Sequence, residues 1–323
     1  MLSEIHYIPK IKQTIDWLHS LLIPHEMPVR YLSFALLAVT IWAGNTIVNK
    51  LAAGALPPGS IAFLRWLLAF ATLTPFVARD AWQRRAAIRA DLPKLALLGL
   101  LGMALCQGVG YYAASYTSAT NMALLLSLAP LLTLLLAALF HKEVPSAIAI
   151  AGGLLSLLGI FVVLGHGDPL VLLAQGVGRG DAMMFVVVLA YAAYSVLLRN
   201  APPSLPVFTS LYAQMACALV FLLPVYLWSA TPHLTWATVS MIGYAGIPAS
   251  IVAPAVWMMA IKHLGSGRTT MFMNLIPIIT AVAAAAFLDE ALHAYHLIGG
   301  GLTIGGVLLG QSRLKARRTA PAS

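Results

Sequence analysis

Charged residues are scarce in this chain. Only 9% of its 323 residues are Asp, Glu, Lys or Arg, whereas 60% are hydrophobic. A soluble domain carries roughly 25% charged residues, so these few charges are not enough to cover a water-exposed surface. The composition therefore excludes a cytosolic globular enzyme and a disordered chain. It predicts a polytopic membrane protein.

Cysteines and acidic residues are also few. The two cysteines, Cys106 and Cys217, both lie in apolar runs, which favours a packing role over a disulfide or a metal site. All ten Asp and Glu lie at the ends of apolar runs or between them. No carboxylate is then placed to relay a proton at mid-membrane. We expect gradient-driven exchange or uniport, unless a histidine such as His141 or His263 couples protons.

Ten apolar runs are long enough to span a bilayer as helices, which takes about 20 residues each. None of them shows the alternating pattern of a membrane β-barrel strand. The sequence thus predicts an all-α membrane protein with ten transmembrane helices, at 31–50, 59–78, 94–114, 119–140, 146–165, 181–199, 205–228, 236–261, 266–288 and 293–312.

Residues 1–30 differ from the rest of the chain. They mix Lys10, Lys12 and Asp16 with apolar residues at helical spacing, which predicts an amphipathic segment on the membrane surface. The alternatives are a frayed extension, or a true start at Met27. The uninterrupted apolar core of a signal peptide is absent.

Lys and Arg indicate the orientation of the helices. With ten spans and a cytoplasmic N-terminus, 16 of the 19 Lys and Arg fall on the cytoplasmic side, including the basic tail 313–323. Both termini are therefore predicted to be cytoplasmic. The net charge of +9 is then explained by topology and by attraction to anionic lipids, and it calls for no nucleic-acid partner.

The chain contains an internal repeat. A shift of 147 positions aligns 120–163 with 267–310 without a gap and pairs Pro130 with Pro277, as well as two Gly-Gly pairs. A shift of 149 aligns the earlier parts. Two five-helix units, 31–165 and 166–312, follow. Because five is odd, the second unit enters the bilayer from the opposite side. Such inverted repeats are typical of secondary transporters, which bind substrate between the halves.

Several short stretches carry a family resemblance over about 31–312, namely Trp42-Ala43-Gly44-Asn45, Leu64-Arg65-Trp66, Leu128-Ala129-Pro130-Leu131, Phe140 to Glu143 and Gly152-Gly153, with second-half counterparts at Leu275-Ile276-Pro277, Phe287 to Glu290 and Gly299-Gly300. The chain resembles the EamA family of the drug/metabolite transporter superfamily. The resemblance implies an inner-membrane, multi-pass carrier, commonly an exporter of amino acids or related metabolites. It also implies a central cavity lined by spans 1, 3, 4, 6, 8 and 9.

Polar and aromatic side chains within the spans are candidates for substrate binding, since a polar group in lipid must be paired or face water. Each of them could instead bond between helices or mark the membrane interface. The candidates are Trp42, Asn45, Asn49, Gln107, Tyr111, Asn121, Tyr191, Tyr194, Trp257 and Asn274.

Arg65 is the only charge well inside a predicted span, and Gln214 is its counterpart in the repeat. Arg65 could attract a carboxylate or phosphate of the substrate, or its side chain could extend to the outer interface. Pro130 and Pro277 are predicted to lie in mid-span as kinks, and thus as hinges or static bends.

The sequence motifs give little support to an enzymatic function. Gly178-Arg179-Gly180-Asp181 matches a pattern of intramembrane aspartyl proteases, but their chemistry needs a second membrane aspartate, and none is present. No metal-binding or nucleotide motif occurs, so we expect no enzyme activity, no cofactor and no metal. The leading prediction is a carrier of a small-molecule substrate in the lipid bilayer, either monomer or homodimer. The alternatives are a nucleotide-sugar or phosphorylated-metabolite carrier, and a membrane interaction or lipid-handling protein.

Overall fold

Helices dominate the computed structural model, which describes residues 29–141, 147–168, 177–200, 203–264 and 272–318. No strand occurs in these ranges. The predicted surface segment at 1–30 lies almost wholly outside the described residues. The helices are α1 (Val29–Ala52), α2 (Pro58–Gln83), α3 (Arg85–Ala90), α4 (Leu92–Ala113), α5 (Ala119–Leu126), α6 (Ala129–His141), α7 (Ala147–Leu164), α8 (Arg179–Asn200), α9 (Val207–Trp228), α10 (Trp236–Gly246), α11 (Ala253–Leu264), α12 (Leu275–Phe287) and α13 (Ala294–Arg318).

Six stretches of helix in the described residues are long and apolar enough to cross a membrane, with 20 to 26 residues each. These lengths match a hydrocarbon core of about 30 Å. The six are Arg30–Ala52, Pro58–Gln83, Leu92–Ala113, Arg179–Leu198, Val207–Trp228 and Trp236–Ala260. Shorter apolar helices cover Ala119–Thr133, Ile150–Leu164, Phe272–Phe287 and Ala294–Leu309. The chain is a multi-pass membrane protein.

Large apolar side chains cover the outside of the helical bundle. Phe76, Leu139, Leu227 and Leu297 are each more than two-thirds exposed. In water this surface would be unfavourable, but a helix that is apolar all round is suited to contact with lipid. The exposed apolar surface thus agrees with the composition.

Helices α7 and α13 cross at close range and run antiparallel. Gly159 packs on the backbone of Gly299, and Gly306 packs on the backbone of Gly152, so a Cβ at Gly159 or Gly306 would collide with the facing backbone. Between these contacts the Ser156 hydroxyl donates to the carbonyl oxygen of Thr303 over 3.0 Å. Small residues bring the two backbones together, as expected for helix packing in a membrane.

Helices α2 and α9 form a second antiparallel pair. Phe63 stacks on Tyr226 with ring centroids 4.7 Å apart, and Phe70 stacks on Tyr212 at 4.3 Å. Near the end of α2, Asp80 accepts a hydrogen bond from the Thr209 hydroxyl. Each helix also contains an internal proline, Pro75 in α2 and Pro224 in α9. The two prolines are 149 positions apart, which is the shift of the earlier part of the repeat.

The sequence predicts kinks in mid-span at Pro130 and Pro277. In the structure, a new helix begins just before each of these prolines. Helix α6 begins at Ala129 after a turn at 127–128, and α12 begins at Leu275 after the 3-10 turn Phe272–Asn274. Both prolines therefore lie in the first turn of a helix, where the missing N–H would have no helical partner in any case. The break is present, but it falls just before each proline.

Two stretches of π-helix occur at matching places in the two halves. Leu100–Leu105 lies in the middle of α4, and Pro248–Val252 joins α10 to α11. A π-turn inserts an extra residue into a helix and changes which side chains share a face. Such turns are frequent at functional sites, and both of these face the interior of the bundle.

Candidate functional site

A cavity of about 820 Å³ lies in the middle of the bundle. Its wall includes residues of α1, α4, α5, α8, α11 and α12, which belong to spans 1, 3, 4, 6, 8 and 9. Residues of α2 and α9 also contribute, so spans 2 and 7 must be added to the expected lining. The cavity extends to the connection between α8 and α9, where Pro203 and Leu205 line it.

Most of the sequence-predicted site residues meet at this cavity. They lie on six different helices or at their starts, and they face a common space from opposite sides of the bundle. Those that line the cavity are Trp42, Asn45, Asn49, Gln107, Tyr191, Tyr194, Trp257 and Asn274, together with Arg65 and Pro277. The side chain of Pro130 is outside the described part of the chain.

Tyr111 and Asn121 are placed elsewhere. Tyr111 is 1% exposed and lies behind the cavity wall, where its hydroxyl accepts a hydrogen bond from Arg65 Nη1 at 3.1 Å. Asn121 lies in the first turn of α5 and lines a separate pocket of about 460 Å³ at one end of the bundle. Because α5 starts at Ala119, its first turn belongs to that end and does not reach the centre.

Helix α1 presents a polar and aromatic face to the cavity. The amide nitrogen of Asn45 donates to Asn49 Oδ1 over 3.3 Å, as the spacing of four residues allows. Trp42 packs edge-on against Trp257 of α11 with ring centroids 5.3 Å apart, and its Nε1 donates to the Ala249 carbonyl at 3.3 Å. These bonds fix the two indole rings as part of the wall.

Helix α8 forms the opposite wall with Tyr191 and Tyr194, whose ring centroids are 6.2 Å apart. Tyr194 lies against Gly102 in the π-helical part of α4. A Cβ at Gly102 would come within 2.6 Å of the Tyr194 ring, so glycine is needed for this contact. The two tyrosines are the repeat counterparts of Trp42 and Asn45, and they are held across the cavity from them.

Arg65 is buried at the wall and does not extend to the outer interface. It is 2% exposed, and its Nη2 donates to Ser250 Oγ at 2.8 Å while Nη1 donates to Gln107 Oε1 at 3.0 Å. Ser250 lies in the π-turn between α10 and α11, and its hydroxyl also bonds to the carbonyl of Ala245. A snorkelling role for Arg65 is therefore wrong.

Three further residues of the cavity lining were not proposed as binding residues from the sequence. Trp66 was noted only as part of the Leu64-Arg65-Trp66 stretch, and Ser250 does not stand out from its apolar surroundings. Gln214 was noted only as the repeat counterpart of Arg65, and it too lines the cavity. The wall also holds several flexible methionines, which adapt to ligands of varied shape. These are Met103, Met122, Met184, Met258 and Met273.

A polar network closes the bundle at the end opposite the α8–α9 connection. The carboxylate of Glu290 accepts from the backbone N–H groups of Ala119 and Thr120, at 2.7 and 3.2 Å, and so caps the start of α5. Lys50 donates to the carbonyls of Ala114 and Thr117, at 2.9 and 2.7 Å. Lys50 thus binds the C-terminal end of α4 and the turn after it, rather than only extending to the interface.

Asp181 belongs to this closed end as well. It lies in the first turn of α8, two residues inside the start at Arg179, and accepts from the Thr117 hydroxyl at 2.6 Å. It is therefore a first-turn residue and not the N-cap of the helix. Among the described residues, no group of three or more His, Cys, Asp or Glu could hold a metal ion.

An all-helical multi-pass membrane protein with a closed end and a central cavity belongs to the structural class of membrane carriers. The model of the EamA-like transporter family matches residues 29–165 and 178–310. The chain belongs to the EamA family of the drug/metabolite transporter superfamily.

Two relatives are named for export. A protein of Streptantibioticus cattleyicolor named "Probable terminal-alkyne amino-acid exporter" is 31% identical over 71% of this chain and 76% of its own. A protein of Salmonella typhimurium named "Probable amino-acid metabolite efflux pump" is 25% identical over 90% of this chain and 97% of its own. A solved crystal structure matches with a TM-score of 0.58 at 18% identity, covering 90% of this chain and 99% of that one, which shows the fold.

Proposed function

We propose that this protein is a secondary transporter of the inner membrane that exports a small amphipathic metabolite, an amino acid or a related compound, by alternating access. The observation that carries the proposal is the 820 Å³ cavity, in which Trp42, Asn45, Tyr191 and Tyr194 meet at the centre of the bundle. Few polar groups on a mainly apolar wall are typical of small-molecule sites. The names of the relatives support an amino-acid-like substrate and the direction of export.

The transport cycle in this proposal rests on two inverted five-helix units, 31–165 and 166–312, with ten spans in all. The crossing of α7 and α13 supports it. Exchanging each residue for its counterpart 147 positions away converts the contact of Gly159 with Gly299 into that of Gly306 with Gly152. It also converts the hydrogen bond from the Ser156 hydroxyl to the Thr303 carbonyl into the bond from the Thr303 hydroxyl to the Ser156 carbonyl, at 3.4 Å. Since these helices are antiparallel, the two-fold axis that relates them is perpendicular to both.

The packing of other helices follows the same exchange. Helix α1 packs against α11 and α12, and its counterpart α8 packs against α4 and α6. The two stretches of π-helix and the two prolines inside α2 and α9 also correspond. In this proposal the segments 1–30 and 313–323 lie outside the repeats, and both face the cytoplasm. Two interchangeable halves around one site are what alternating access requires.

The walls of the cavity suit an amphipathic ligand. The indole rings of Trp42 and Trp257 and the phenol rings of Tyr191 and Tyr194 provide surfaces for stacking, while Asn45 and Asn49 provide hydrogen bonds. In the proposal these residues bind the substrate together with Gln107 and Asn274. Within the lining that the structure describes, Arg65 is the one charged residue, which suits a ligand with a single carboxylate better than a phosphate ester.

Flux through single-residue variants tests the proposal. We expect Trp42→Ala and Asn45→Ala to lower the export of amino acids and related metabolites from proteoliposomes at least about tenfold, because each removes a central contact. Trp82→Ala is the matched control, since Trp82 is 72% exposed and lies outside the cavity. Equal flux by the wild type and both cavity variants would overturn the site. A wild type that transports none of the compounds would overturn the function.

A further inference from the structure

The cavity contains a cation without a counter-charge. The guanidinium of Arg65 is charged at any physiological pH and is almost fully buried. Its partners are the neutral oxygens of Ser250, Gln107 and Tyr111. No carboxylate of the described residues forms an ion pair with it. A buried charge in such surroundings is strongly stabilised by an anion that arrives at the same place.

Donor capacity is left over beside this cation. A guanidinium has five N–H groups, and within the described residues Nη2 makes one of its two possible bonds. The next residue, Trp66, also lines the cavity, and its buried Nε1 has no hydrogen-bond partner in the described residues. The Cζ of Arg65 lies over the Trp66 ring, 5.1 Å from its centre. The free N–H of Nη2 can donate a charge-assisted hydrogen bond to a carboxylate in the cavity, and the indole N–H of Trp66 is a further donor on the same wall.

Unpaired acceptors lie elsewhere on the same wall. The side-chain oxygens of Asn45 and Gln214 are buried and have no partner among the described residues. Neutral oxygen acceptors of this kind bind an ammonium group without adding a negative charge.

We infer that Arg65 selects substrates that carry a carboxylate, and that it holds this carboxylate while the side-chain amide oxygens of Asn45 and Gln214 accept from the ammonium group of an amino acid. Arg65 is then the specificity-determining residue of the cavity, and Trp66 and Ser250 assist it. This inference rests on the proposed function and narrows the substrate class to carboxylates, with zwitterionic amino acids as the best fit. Amines and esters of the same shape lack the group that Arg65 needs.

The wild-type protein tests the inference without any variant. Proteoliposomes are assayed with four matched sets of compounds, namely L-amino acids, their methyl esters, the corresponding amines, and the corresponding 2-hydroxy acids. We expect amino acids to be transported at least about tenfold better than the esters and amines, because one charge-assisted hydrogen-bonded contact is lost in each of these. Hydroxy acids keep the carboxylate and are expected to be transported better than the amines.

Variants of Arg65 then identify the residue responsible. Arg65→Gln is expected to transport amino acids and their methyl esters equally, because it keeps hydrogen bonding but removes the charge. Arg65→Lys is expected to retain part of the preference, since it keeps the charge but loses the planar fork of donors. Arg89→Gln is the matched control, because it removes an exposed cation on the short helix α3 outside the cavity.

The outcomes separate this inference from the proposed function. Wild-type transport of esters and amines at the same rate as amino acids would overturn the inference and leave the carrier function intact. An undiminished preference for the carboxylate in folded Arg65→Gln protein would overturn the assignment to Arg65. Transport of no compound in any of the four sets would overturn the proposed function and the inference together.

Discussion

Asp91 links the junction of α3 and α4 to the connection between α8 and α9. This is the end of the bundle to which the cavity extends. Its Oδ2 accepts from the backbone N–H and the hydroxyl of Ser204, both at 2.7 Å, and Oδ1 accepts from Lys94 at 3.1 Å. These donors, the Ser204 backbone first, lower the pKa of the carboxyl group to about 2. All of them favour the charged form.

Acid unfolding is therefore expected to depend on this residue. A carboxylate with a lowered pKa in the folded state stabilises the fold above its unfolded pKa of about 3.9 and loses this effect as the pH falls towards 2. Asp91→Asn should have a lower melting temperature than the wild type at pH 7, and the difference should shrink between pH 5 and pH 2. Thermal unfolding in detergent measures it. Asp289→Asn, which changes an exposed carboxylate, is the control, and a constant difference at every pH would contradict the prediction.

The identity of the cavity residues was largely accessible from the sequence, because polar groups within apolar runs have few other roles. Trp42, Asn45 and Asn49 recur at intervals of three and four residues, which is the spacing of one helix face, and all three line the cavity. The depth of Arg65 was not accessible, since a residue seven positions into a helix is within reach of the interface unless the packing buries it. Tyr111 was misplaced because its hydroxyl turns towards Arg65 behind the wall.

Helices α7 and α13 offer a test at the level of elements. Gly159→Ala and Gly306→Ala should each destabilise the protein by about 1–3 kcal/mol, because the added methyl collides with facing backbone that side-chain rotation cannot relieve. The two losses should be similar, since the contacts are counterparts. Thermal unfolding in detergent is the measurement.

Gly305 provides a control in the same helix. A Cβ at Gly305 meets nothing within 4 Å, so Gly305→Ala is expected to leave the stability unchanged or to raise it slightly. If Gly306→Ala melted at the same temperature as Gly305→Ala, the close crossing of the two helices would be wrong.

The existence of the helices followed from the apolar runs, since a backbone in lipid must satisfy its own hydrogen bonds. The places where these helices are interrupted could not be predicted from the apolar runs. The two stretches of π-helix have no reliable sequence signature, and the restarts before Pro130 and Pro277 depend on how the preceding turns pack. Helix ends and insertions of this kind are decided by tertiary contacts that lie far away in the sequence.

At the level of the whole molecule, the proposed inverted arrangement predicts which side of the membrane each connection faces. In a background without Cys106 and Cys217, we expect Ala90→Cys and Ser323→Cys to react with a membrane-impermeant maleimide only from the cytoplasmic side. Ala55→Cys, in the connection between α1 and α2, should react only from outside. Labelling of intact and permeabilised cells measures this, and a Ser323→Cys protein that reacts in intact cells would contradict it.

The sequence was enough to predict an all-helical multi-pass membrane protein and its family, because hydropathy and the recurring motifs extend over nearly the full length of the chain. The count of ten spans, the inverted repeat and the cytoplasmic termini stay predictions. The conformation of the protein, with one end of the cavity closed, could not be predicted from the sequence. In the proposed alternating-access cycle, which end of the cavity is closed depends on a small free-energy difference between two packings of the same helices. The network around Glu290 and Lys50 then belongs to one of these packings.

That network also bears on how this end of the bundle can separate. The side chains of Lys50, Thr117, Asp181 and Glu290 join the helix ends through polar bonds, beside a small apolar cluster around Ile47. When such bonds break at the membrane surface, water molecules replace each lost partner, so the polar part of the contact is given up at little cost. In the proposed cycle, this end is therefore expected to open without the loss of a large apolar interface.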